Sequence, residues 1–343
     1  MENDSIASRK NDHININLIE DVSSKAQTGL ENFRFYHSAL PELELKSIDT
    51  GQLIFGKEVR LPILISSMTG GTQQAFEINR KLAVTAEKYG LAMGVGSQRA
   101  AIEDSSLAES FQVRKFAPNI LLFANLGAVQ LNYGYGIDQC KKAIEMIEAN
   151  ALILHLNPLQ EAIQMDGDTN FSGLLTKIEI ICKSLIHPVI VKEVGWGISP
   201  AIARNLINAG VSGIDISGAG GTSWTQVERY RLTKEKDIRV AEEFRDWGIP
   251  TGKALFEIGE SKLNAVIIAS GGLKSGMDIA KTVALGAQLA GMAGVILKKA
   301  VSSIDDLFEE IEILERVFRI AMFGTGSGNI SQFQNSKIYK VGN

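Results

Sequence analysis

Cysteine, excess positive charge and long apolar runs are all scarce in this sequence. The 343 residues contain two cysteines, Cys140 and Cys182, and no CxxC pair, so no disulfide framework is indicated and a reducing cytoplasm is expected. The formal net charge of −4 argues against a nucleic-acid-binding protein. No apolar run reaches the roughly 18–20 residues that a membrane span needs, and the first residues contain no apolar signal region. We therefore expect a cytoplasmic globular protein with neither a nucleic-acid nor a membrane partner.

Glycine, by contrast, is abundant, and the 33 glycines fall mainly at the ends of short apolar runs. From residue 61 onward, eight such runs alternate with helix-like segments at intervals of about 25–45 residues, which is typical of a (β/α)₈ TIM barrel. The predicted strands are 61–67, 91–97, 119–127, 151–157, 188–193, 213–218, 265–272 and 287–294. The predicted helices are 74–89, 105–116, 137–149, 172–186, 199–209, 237–247, 250–260, 277–285 and 304–322.

The predicted fold class is therefore α/β, with a single barrel over residues 61–325, an N-terminal extension over 1–60 and a short tail over 326–343. A doubly wound sheet would usually have fewer units and one dominant glycine fingerprint. Within the extension, Arg9 and Lys10 lie in a polar stretch that fits either a solvated tail or a flexible arm bringing cations to an anionic ligand. Residues 30–60 indicate an irregular segment and a small hairpin.

Polar and small residues follow the predicted strands, at the end of a barrel where active sites lie. They are Ser66–Gly71, Ser97–Arg99, Asn125, His155–Glu161, Lys192–Glu193, Ser217–Ser223, Gly271–Gly272 and Ala293–Gly294. This set predicts a ligand-lined barrel mouth. The last three loops are glycine-rich, which lets main-chain N–H groups approach an anion, and we predict a phosphate site there.

The stretch ALILHLNPLQE over residues 151–161 indicates a buried strand that breaks at Pro158 and opens into a polar site. Gln160 and Glu161 follow the break and are expected to face a ligand, with a metal as a further expectation. His155 fits equally a ligand contact and a histidine at the edge of the core. Taken alone, the stretch would be an ordinary strand end.

Lys192 ends an otherwise apolar strand and has three interpretations. It fits a structural ion pair, a Schiff-base lysine of an aldolase, or a cation beside the N1 position of a reduced flavin. The loop SSMTGGT over residues 66–72 suits a flat ring, and Ser97 and Asn125 offer further hydrogen bonds. Together with a terminal phosphate site, these features favour FMN.

Nine motifs carry a resemblance to a known family. They are RKNDHI (9–14), SSMTGGT (66–72), GVGSQRAAIE (94–103), ANLGAVQ (124–130), HLNPLQE (155–161), VKEVGWGIS (191–199), DISGAGGTSW (215–224), SGGLKSG (270–276) and AGMAG (290–294). The sequence resembles the type 2, FMN-dependent isopentenyl-diphosphate isomerases over nearly its whole length. The resemblance implies a barrel that binds FMN, reduced by NADPH, and Mg²⁺, and that interconverts isopentenyl and dimethylallyl diphosphate. It also implies a homo-oligomer, a tetramer or an octamer.

The resemblance further implies a role for each matching residue. The substrate contacts are Arg9, Lys10, Ser97, Gln98, Arg99 and Gln160, and Glu161 holds Mg²⁺. The FMN contacts are Ser66, Ser67, Met68, Thr69, Ser97, Asn125, Lys192, Ser217, Thr222, Gly271, Gly272, Leu273, Ala293 and Gly294. The residues expected to assist catalysis are Gln160, His155 and Lys192.

A 1,3-proton shift needs a proton donor, a base and surroundings that tolerate a cation. Neither cysteine lies at a strand end, so a Cys/Glu acid–base pair is not expected, and reduced FMN is the predicted acid and base. Gln160 does not titrate usefully, so an orienting or relay role is expected for it. The alternatives are a 2-hydroxy-acid oxidase, whose flavin-side histidine is absent from the Ser217–Gly221 loop, an aldolase using Lys192, and a non-catalytic phosphate sensor.

Overall fold

Eight parallel strands close into a barrel in the computed structural model, which describes residues 6–334 and 338–341. The described residues contain twelve strands in all, and these are β1 Phe33–Phe35, β2 Gln52–Ile54, β3 Lys57–Val59, β4 Ile63–Ile65, β5 Ala92–Gly94, β6 Leu122–Gly127, β7 Ala151–Leu156, β8 Val189–Glu193, β9 Gly213–Asp215, β10 Val266–Ser270, β11 Leu289–Met292 and β12 Ile338–Lys340. Strands β4 to β11 form the barrel in chain order, and Ala290 of β11 pairs with Ile63 of β4 to close it. The predicted TIM barrel is confirmed.

The barrel strands read as continuous apolar runs because both of their faces are buried. One face fills the barrel interior with side chains such as Phe123, Ile153 and Ile190, while the other packs against the surrounding helices. Each fully buried side chain of this kind contributes about 1.5–3 kcal/mol. The interior is therefore a packed core, and a ligand has room only at its ends.

The hairpin of β2 and β3 closes the N-terminal end of the barrel. Its residues Ile54 and Val59 join the interior cluster, and the Phe55 ring packs edge-on against Phe123, with the ring centroids 6.5 Å apart. The amide of Gln52 donates to the main-chain oxygen of Gln288, just before β11. The predicted site residues belong to the opposite end, where the strands terminate.

Fourteen α-helices occur among the described residues. They are α1 Ile6–Ile19, α2 Gln73–Tyr89, α3 Arg99–Glu103, α4 Ile137–Ile147, α5 Pro158–Ile163, α6 Leu174–Ser184, α7 Pro200–Asn208, α8 Trp224–Arg229, α9 Glu235–Glu243, α10 Thr251–Glu260, α11 Gly276–Ala284, α12 Gly294–Ser302, α13 Ile304–Gly324 and α14 Ile330–Gln334. None of them is both long and apolar enough to cross a membrane.

The helix predicted over residues 105–116 is wrong. The chain there forms two 3₁₀ segments, Ser105–Phe111 and Arg114–Phe116. Asp104 accepts hydrogen bonds from the main-chain N–H and the hydroxyl of Ser106, a local bond that competes with α-helix formation. The Phe111 ring then packs so closely over residue 70 that a Cβ there would lie 1.9 Å from it, which explains the glycine.

Residues 6–19 form a helix, α1, where the sequence indicated a polar tail or arm. Ile14 is buried in the core, but it is the only described residue of the helix to be so, and the weak apolar pattern explains why the helix was not predicted. Lys10 donates to the main-chain oxygen of Ser97, with an N···O distance of 2.8 Å, and Arg231 lies 3.5 Å from Asp12. The helix therefore lies against the open end of the barrel.

A short two-stranded sheet joins the segment before the barrel to the segment after it. Strand β1 pairs antiparallel with β12, and Phe333 of α14 stacks on Phe35 and packs edge-on against Phe318 of α13. Residues 1–5 of the predicted extension, and residues 335–337 and 342–343 of the predicted tail, lie outside the described residues.

Candidate active site

The predicted site residues gather at one end of the barrel. Ser66–Thr69 follow β4, Ser97–Arg99 follow β5, Asn125 lies in β6, His155 in β7, Gln160 and Glu161 in α5, Lys192 in β8, Ser217 and Thr222 after β9, Gly271–Leu273 after β10, and Ala293 and Gly294 at the start of α12. This arrangement follows from the parallel order of the strands, because all their C-terminal ends meet at the same rim.

His155 and Lys192 are neighbours in the register of β7 and β8. The ring Nδ1 of His155 lies 2.8 Å from Oδ1 of Asn125 on β6. Burial, with the positive charges of Lys192 and Lys10 nearby, lowers the pKa of His155 to about 3. The imidazole is therefore neutral at physiological pH and contributes hydrogen bonds rather than a charge.

Two buried carboxylates flank Lys192. Its ammonium donates to the main-chain oxygen of Glu193 at 2.6 Å, and Asp215 faces it in the register of β9. Burial raises the pKa of Asp215, and the nearby Lys192 opposes that rise. Oδ1 of Asp215 accepts a bond from Ser270, and Oδ2 has no hydrogen-bond partner among the described residues. Lys192 thus lies in a buried wall of the barrel, opposite the carboxyl of Asp215 in the strand register.

The Glu193 carboxylate shapes the turn after β8. Its Oε2 accepts three main-chain hydrogen bonds, from Val194 at 2.7 Å, Gly195 at 2.7 Å and Trp196 at 2.5 Å. Burial raises the pKa of Glu193 to about 7, against these three bonds and the charge of Lys192. The sequence placed this residue among those expected to line the barrel mouth, but its contacts are those of a carboxylate that forms a turn.

The wall formed by β4, β5 and β11 fits a flat ligand. The hydroxyls of Ser66 and Ser67 are buried without a hydrogen-bond partner among the described residues. A Cβ at Gly94 would lie 2.5 Å from the Ser67 hydroxyl, and one at Gly291 would lie 2.7 Å from that of Ser66. Glycine at both positions leaves these donors unobstructed, so they suit the polar edge of a ring such as that of FMN.

The start of α12 fits the phosphate of the same ligand. Ala293 and Gly294 are exposed, and nothing lies within 4 Å of the place where a Cβ of Gly294 would stand. The first N–H groups of this nine-residue helix have no intrahelical partner and can bind an anion. The hydroxyls of Ser66 and Ser67 therefore fit the ring of FMN, and the start of α12 fits its phosphate.

The side chains of two residues that were predicted to contact a ligand point away from the barrel mouth. Gln98 is fully buried, and its amide joins the main-chain oxygen of Ala143 in α4 to the N–H of Asn125 in β6. Leu273 is buried in the core beside the helices, so its main chain alone faces the mouth. The side chain of Gln98 is thus structural, and strand-end position by itself could not reveal this.

Gln160 is held by a carboxylate that the sequence did not single out. Its Nε2 donates to Oε1 of Glu228 at 2.8 Å, and His13 Nε2 lies 3.1 Å from the same oxygen. Burial raises the pKa of Glu228, but the contacts with His13, Gln160 and Arg231 outweigh it, and the pKa lies below its ordinary value. Glu228 lies in α8, where WTQVER resembles the polar face of an ordinary surface helix.

Glu161 is held on both of its oxygens. Asn157 donates to Oε1 at 2.8 Å, while Gln164 and the main-chain N–H of Asp168 donate to Oε2, the latter at 2.7 Å. Burial raises its pKa, and the nearby charge of Arg9 opposes that rise. Among the described residues, no group of three or more acidic, histidine or cysteine side chains could hold a metal ion. A cation here would have Glu161 as its carboxylate ligand and would complete its shell with water and substrate oxygens, as Mg²⁺ does.

The fold and the site define a class of protein, the FMN-dependent barrel enzymes. A sequence profile described as FMN-dependent dehydrogenase matches residues 144–340. A structure of mandelate oxidase with benzoyl-formic acid superposes with a TM-score of 0.69 at 17% identity, over 96% of this chain and 94% of that one. A lactate oxidase of Pediococcus acidilactici superposes with a TM-score of 0.64 at 19% identity, over 96% and 87%. These oxidases are similar in fold alone.

Relatives of much higher identity define the family. An isopentenyl-diphosphate delta-isomerase of a Nostoc species is 51% identical over 330 residues, 96% of this chain and 94% of the relative. That of Stutzerimonas stutzeri is 47% identical over 345 residues, 99% of both chains. The chain belongs to the isopentenyl-diphosphate delta-isomerase family, in its type 2, FMN-dependent form, and is an enzyme.

Proposed function

We propose that the enzyme interconverts isopentenyl and dimethylallyl diphosphate by a 1,3-proton shift, with reduced FMN and Mg²⁺ bound at the barrel mouth. One observation carries the proposal. The Ser66–Ser67 wall that fits a flavin and the Gln160–Glu161 pair that fits a substrate and its metal belong to the same rim. An oxidase barrel would need a histidine base in the loop after β9, and Ser217–Gly221 contains none.

When bound, reduced FMN supplies an acid and base for the proton shift and an electron-rich face that tolerates a cation. The chain holds it through Ser66 and Ser67 on one side and through Lys192 on another. Lys192 lies in a buried wall, where its positive charge stabilises a negative ring more strongly than it would in water. Neutral His155, fixed by Asn125, adds a hydrogen-bonding group without a competing charge.

The diphosphate is bound by cations from two elements. Lys10 and Arg9 come from α1, and Arg99 comes from α3, where its guanidinium is half-buried. Glu161 would hold Mg²⁺, which would offset part of the diphosphate's charge, because Mg²⁺ prefers one or two carboxylates together with substrate oxygens. Helix α1 lies against this end of the site through the bond of Lys10 with the Ser97 main-chain oxygen, and the lower exposure to water there strengthens charge contacts.

Gln160 orients the isoprene unit. Its amide nitrogen is fixed by Glu228 and its oxygen by Asn157, at 3.3 Å, so the amide has a single orientation. A cation-like state forms beside it, and the amide oxygen presents a partial negative charge there. Gln160 therefore positions the substrate without exchanging a proton.

Replacing Gln160 by Asn withdraws the amide by one methylene and breaks its bond with Glu228. We expect kcat to fall about 10-fold or more, since removal of a well-placed polar group from such a site usually costs this much. Steady-state kinetics with isopentenyl diphosphate measures the effect. Gln74→Asn, the same shortening at an exposed residue in the first turn of α2, is the matched control. Turnover unchanged in Gln160→Asn would exclude the orienting role.

Substrate affinity should depend on pH through Lys10. Burial, with Arg9 nearby, lowers the pKa of Lys10 to about 7. The free enzyme therefore loses this charge as the pH rises above 7, whereas the diphosphate binds the charged form. We expect the Kd of the wild type to rise several-fold between pH 7.5 and 9, and that of Lys10→Arg to rise less, because arginine stays charged. Calorimetry measures the Kd at each pH. The same pH dependence of the Kd in the wild type and in Lys10→Arg would contradict this role of Lys10.

NADPH as the reductant, a tetrameric or octameric assembly and a cytoplasmic location complete the proposal. An anaerobic assay tests the function with isopentenyl diphosphate, Mg²⁺, FMN and NADPH, and with each component omitted in turn. Dimethylallyl diphosphate should form only in the complete mixture. Dimethylallyl diphosphate formed without FMN would contradict the proposal. So would the absence of dimethylallyl diphosphate in a complete mixture whose flavin is visibly reduced. A lysine adduct trapped by borohydride would favour the aldolase instead.

A further inference from the structure

The loop from Gln164 to Asp168 is shaped around Glu161. Gln164 and the main-chain N–H of Asp168 both donate to Oε2 of that carboxylate. A Cβ at Gly167 would lie 1.9 Å from the main-chain oxygen of Glu161, so only glycine lets the loop pass. Asp166 adopts a left-handed φ of 56°, which turns the chain back toward the site. The loop thus holds Glu161 in one orientation.

Asp168 is fixed from the opposite side by two other strand ends. Its Oδ2 accepts a bond from Nη1 of Arg99 at 2.8 Å and another from Nε2 of Gln130 at 2.8 Å. Arg99 begins α3 after β5, and Gln130 follows β6. Asp168 therefore connects three neighbouring strand ends through one carboxylate oxygen and one peptide N–H.

We propose that Asp168 is a positioning residue that couples Arg99, on the diphosphate side, to Glu161, on the Mg²⁺ side. The bonds from Arg99 and Gln130 fix the Asp168 side chain, and this fixes the peptide N–H that holds Oε2 of Glu161. A diphosphate that binds Arg99 therefore affects Asp168, and Asp168 in turn orients Glu161, the carboxylate expected to bind Mg²⁺. This inference rests on the proposed function, which gives Arg99 and Glu161 their ligands.

Charge neutralisation of Arg99 is the alternative role for Asp168. Arg99 already has a second carboxylate for that purpose, because its Nε lies 2.9 Å from Glu103, four residues along α3. Glu103 is exposed, and its hydrogen bonds among the described residues are with Arg99 and Tyr135 rather than with the Glu161 side. If Asp168 only neutralises Arg99, removing Asp168 or Glu103 should have similar effects. If Asp168 couples the two sides, only its removal should change the Mg²⁺ concentration needed for substrate binding. Glu103→Gln is therefore the matched control.

The test measures binding without turnover. The enzyme with oxidised FMN is titrated calorimetrically with isopentenyl diphosphate at a series of Mg²⁺ concentrations. We expect Asp168→Ala to raise the Mg²⁺ concentration for half-maximal binding about 10- to 100-fold, as loss of a residue that orients a metal ligand usually does. Asp168→Asn, which keeps the shape but weakens the charge-assisted bonds, should give a smaller rise. Glu103→Gln should stay within about twofold of the wild type.

Kinetics on the reduced enzyme adds a second readout. At a fixed, sub-saturating Mg²⁺ concentration, kcat of Asp168→Asn should change much less than its KM, since the residue touches no reacting atom. FMN absorbance and thermal unfolding verify the fold, and Asp168→Asn carries the test if the alanine variant does not fold. Equal Mg²⁺ shifts in the Asp168 and Glu103 variants, or no shift in either, would overturn the coupling. A wild type that binds no isopentenyl diphosphate with Mg²⁺ would instead overturn the proposed function.

Discussion

Glu161→Gln should abolish the Mg²⁺-dependent binding of isopentenyl diphosphate while FMN stays bound. The amide keeps the size of the carboxylate but removes the negative charge that holds a divalent cation. The glutamine amide nitrogen is a hydrogen-bond donor, whereas all three groups around this side chain also donate: Asn157, Gln164 and the Asp168 N–H. At least one of these bonds is therefore lost. We expect kcat/KM to fall by about 100-fold or more. Changing a residue that only orients a metal ligand usually costs about 10- to 100-fold, and changing the ligand itself should cost more.

Calorimetry with and without Mg²⁺ measures this loss, and flavin absorbance verifies FMN retention. Asp166→Asn is the control, because it removes one charge from an exposed residue five positions along the chain. Its φ of 56° is one that asparagine tolerates, so the loop is preserved. Binding in Glu161→Gln that still rises with Mg²⁺ would show that the metal is held elsewhere.

Lys192→Gln should lower turnover by about 100- to 1,000-fold, the usual cost of removing one preorganised group that stabilises developing charge. The substitution also leaves Asp215 buried without its nearby cation, which destabilises the fold independently of catalysis. The two effects need to be separated before the loss of activity is assigned to the flavin.

The double variant Lys192→Gln with Asp215→Asn separates them. It removes both the lysine and the buried carboxyl that lies opposite it in the register of β8 and β9, so we expect thermal stability to return toward the wild-type value while turnover stays low. Melting curves and anaerobic kinetics on the single and double variants measure this. A double variant that regains wild-type turnover would show that Lys192 serves only to balance Asp215.

The barrel could be predicted from sequence because buried parallel strands read as separate apolar runs, and ALIL before His155 is a clear example. The rim could be predicted as well, because polar residues such as Lys192 stand out at the end of such a run. Assignment of ligands to individual rim residues remains a prediction. It rests on the resemblance and on the orphan hydroxyls of Ser66 and Ser67.

Three features could not be predicted, each for a physical reason. Helix α1 depends on tertiary contacts, such as that of Lys10 with the Ser97 oxygen, rather than on an apolar face. Glu228 and Asp168 act through long-range bonds to Gln160 and Arg99, and sequence spacing does not encode such bonds. The side chain of Gln98 turns toward α4, and the direction of a side chain after a strand depends on local geometry.

The central claim is that this barrel uses its flavin without net redox change, and the stoichiometry of electrons and product tests it most directly. Enzyme reduced once with a limiting amount of NADPH is incubated anaerobically in D₂O with excess isopentenyl diphosphate and Mg²⁺. We predict many molecules of dimethylallyl diphosphate per NADPH oxidised, with deuterium incorporated at carbon. One NADPH consumed for each product molecule, or product without deuterium, would contradict the account.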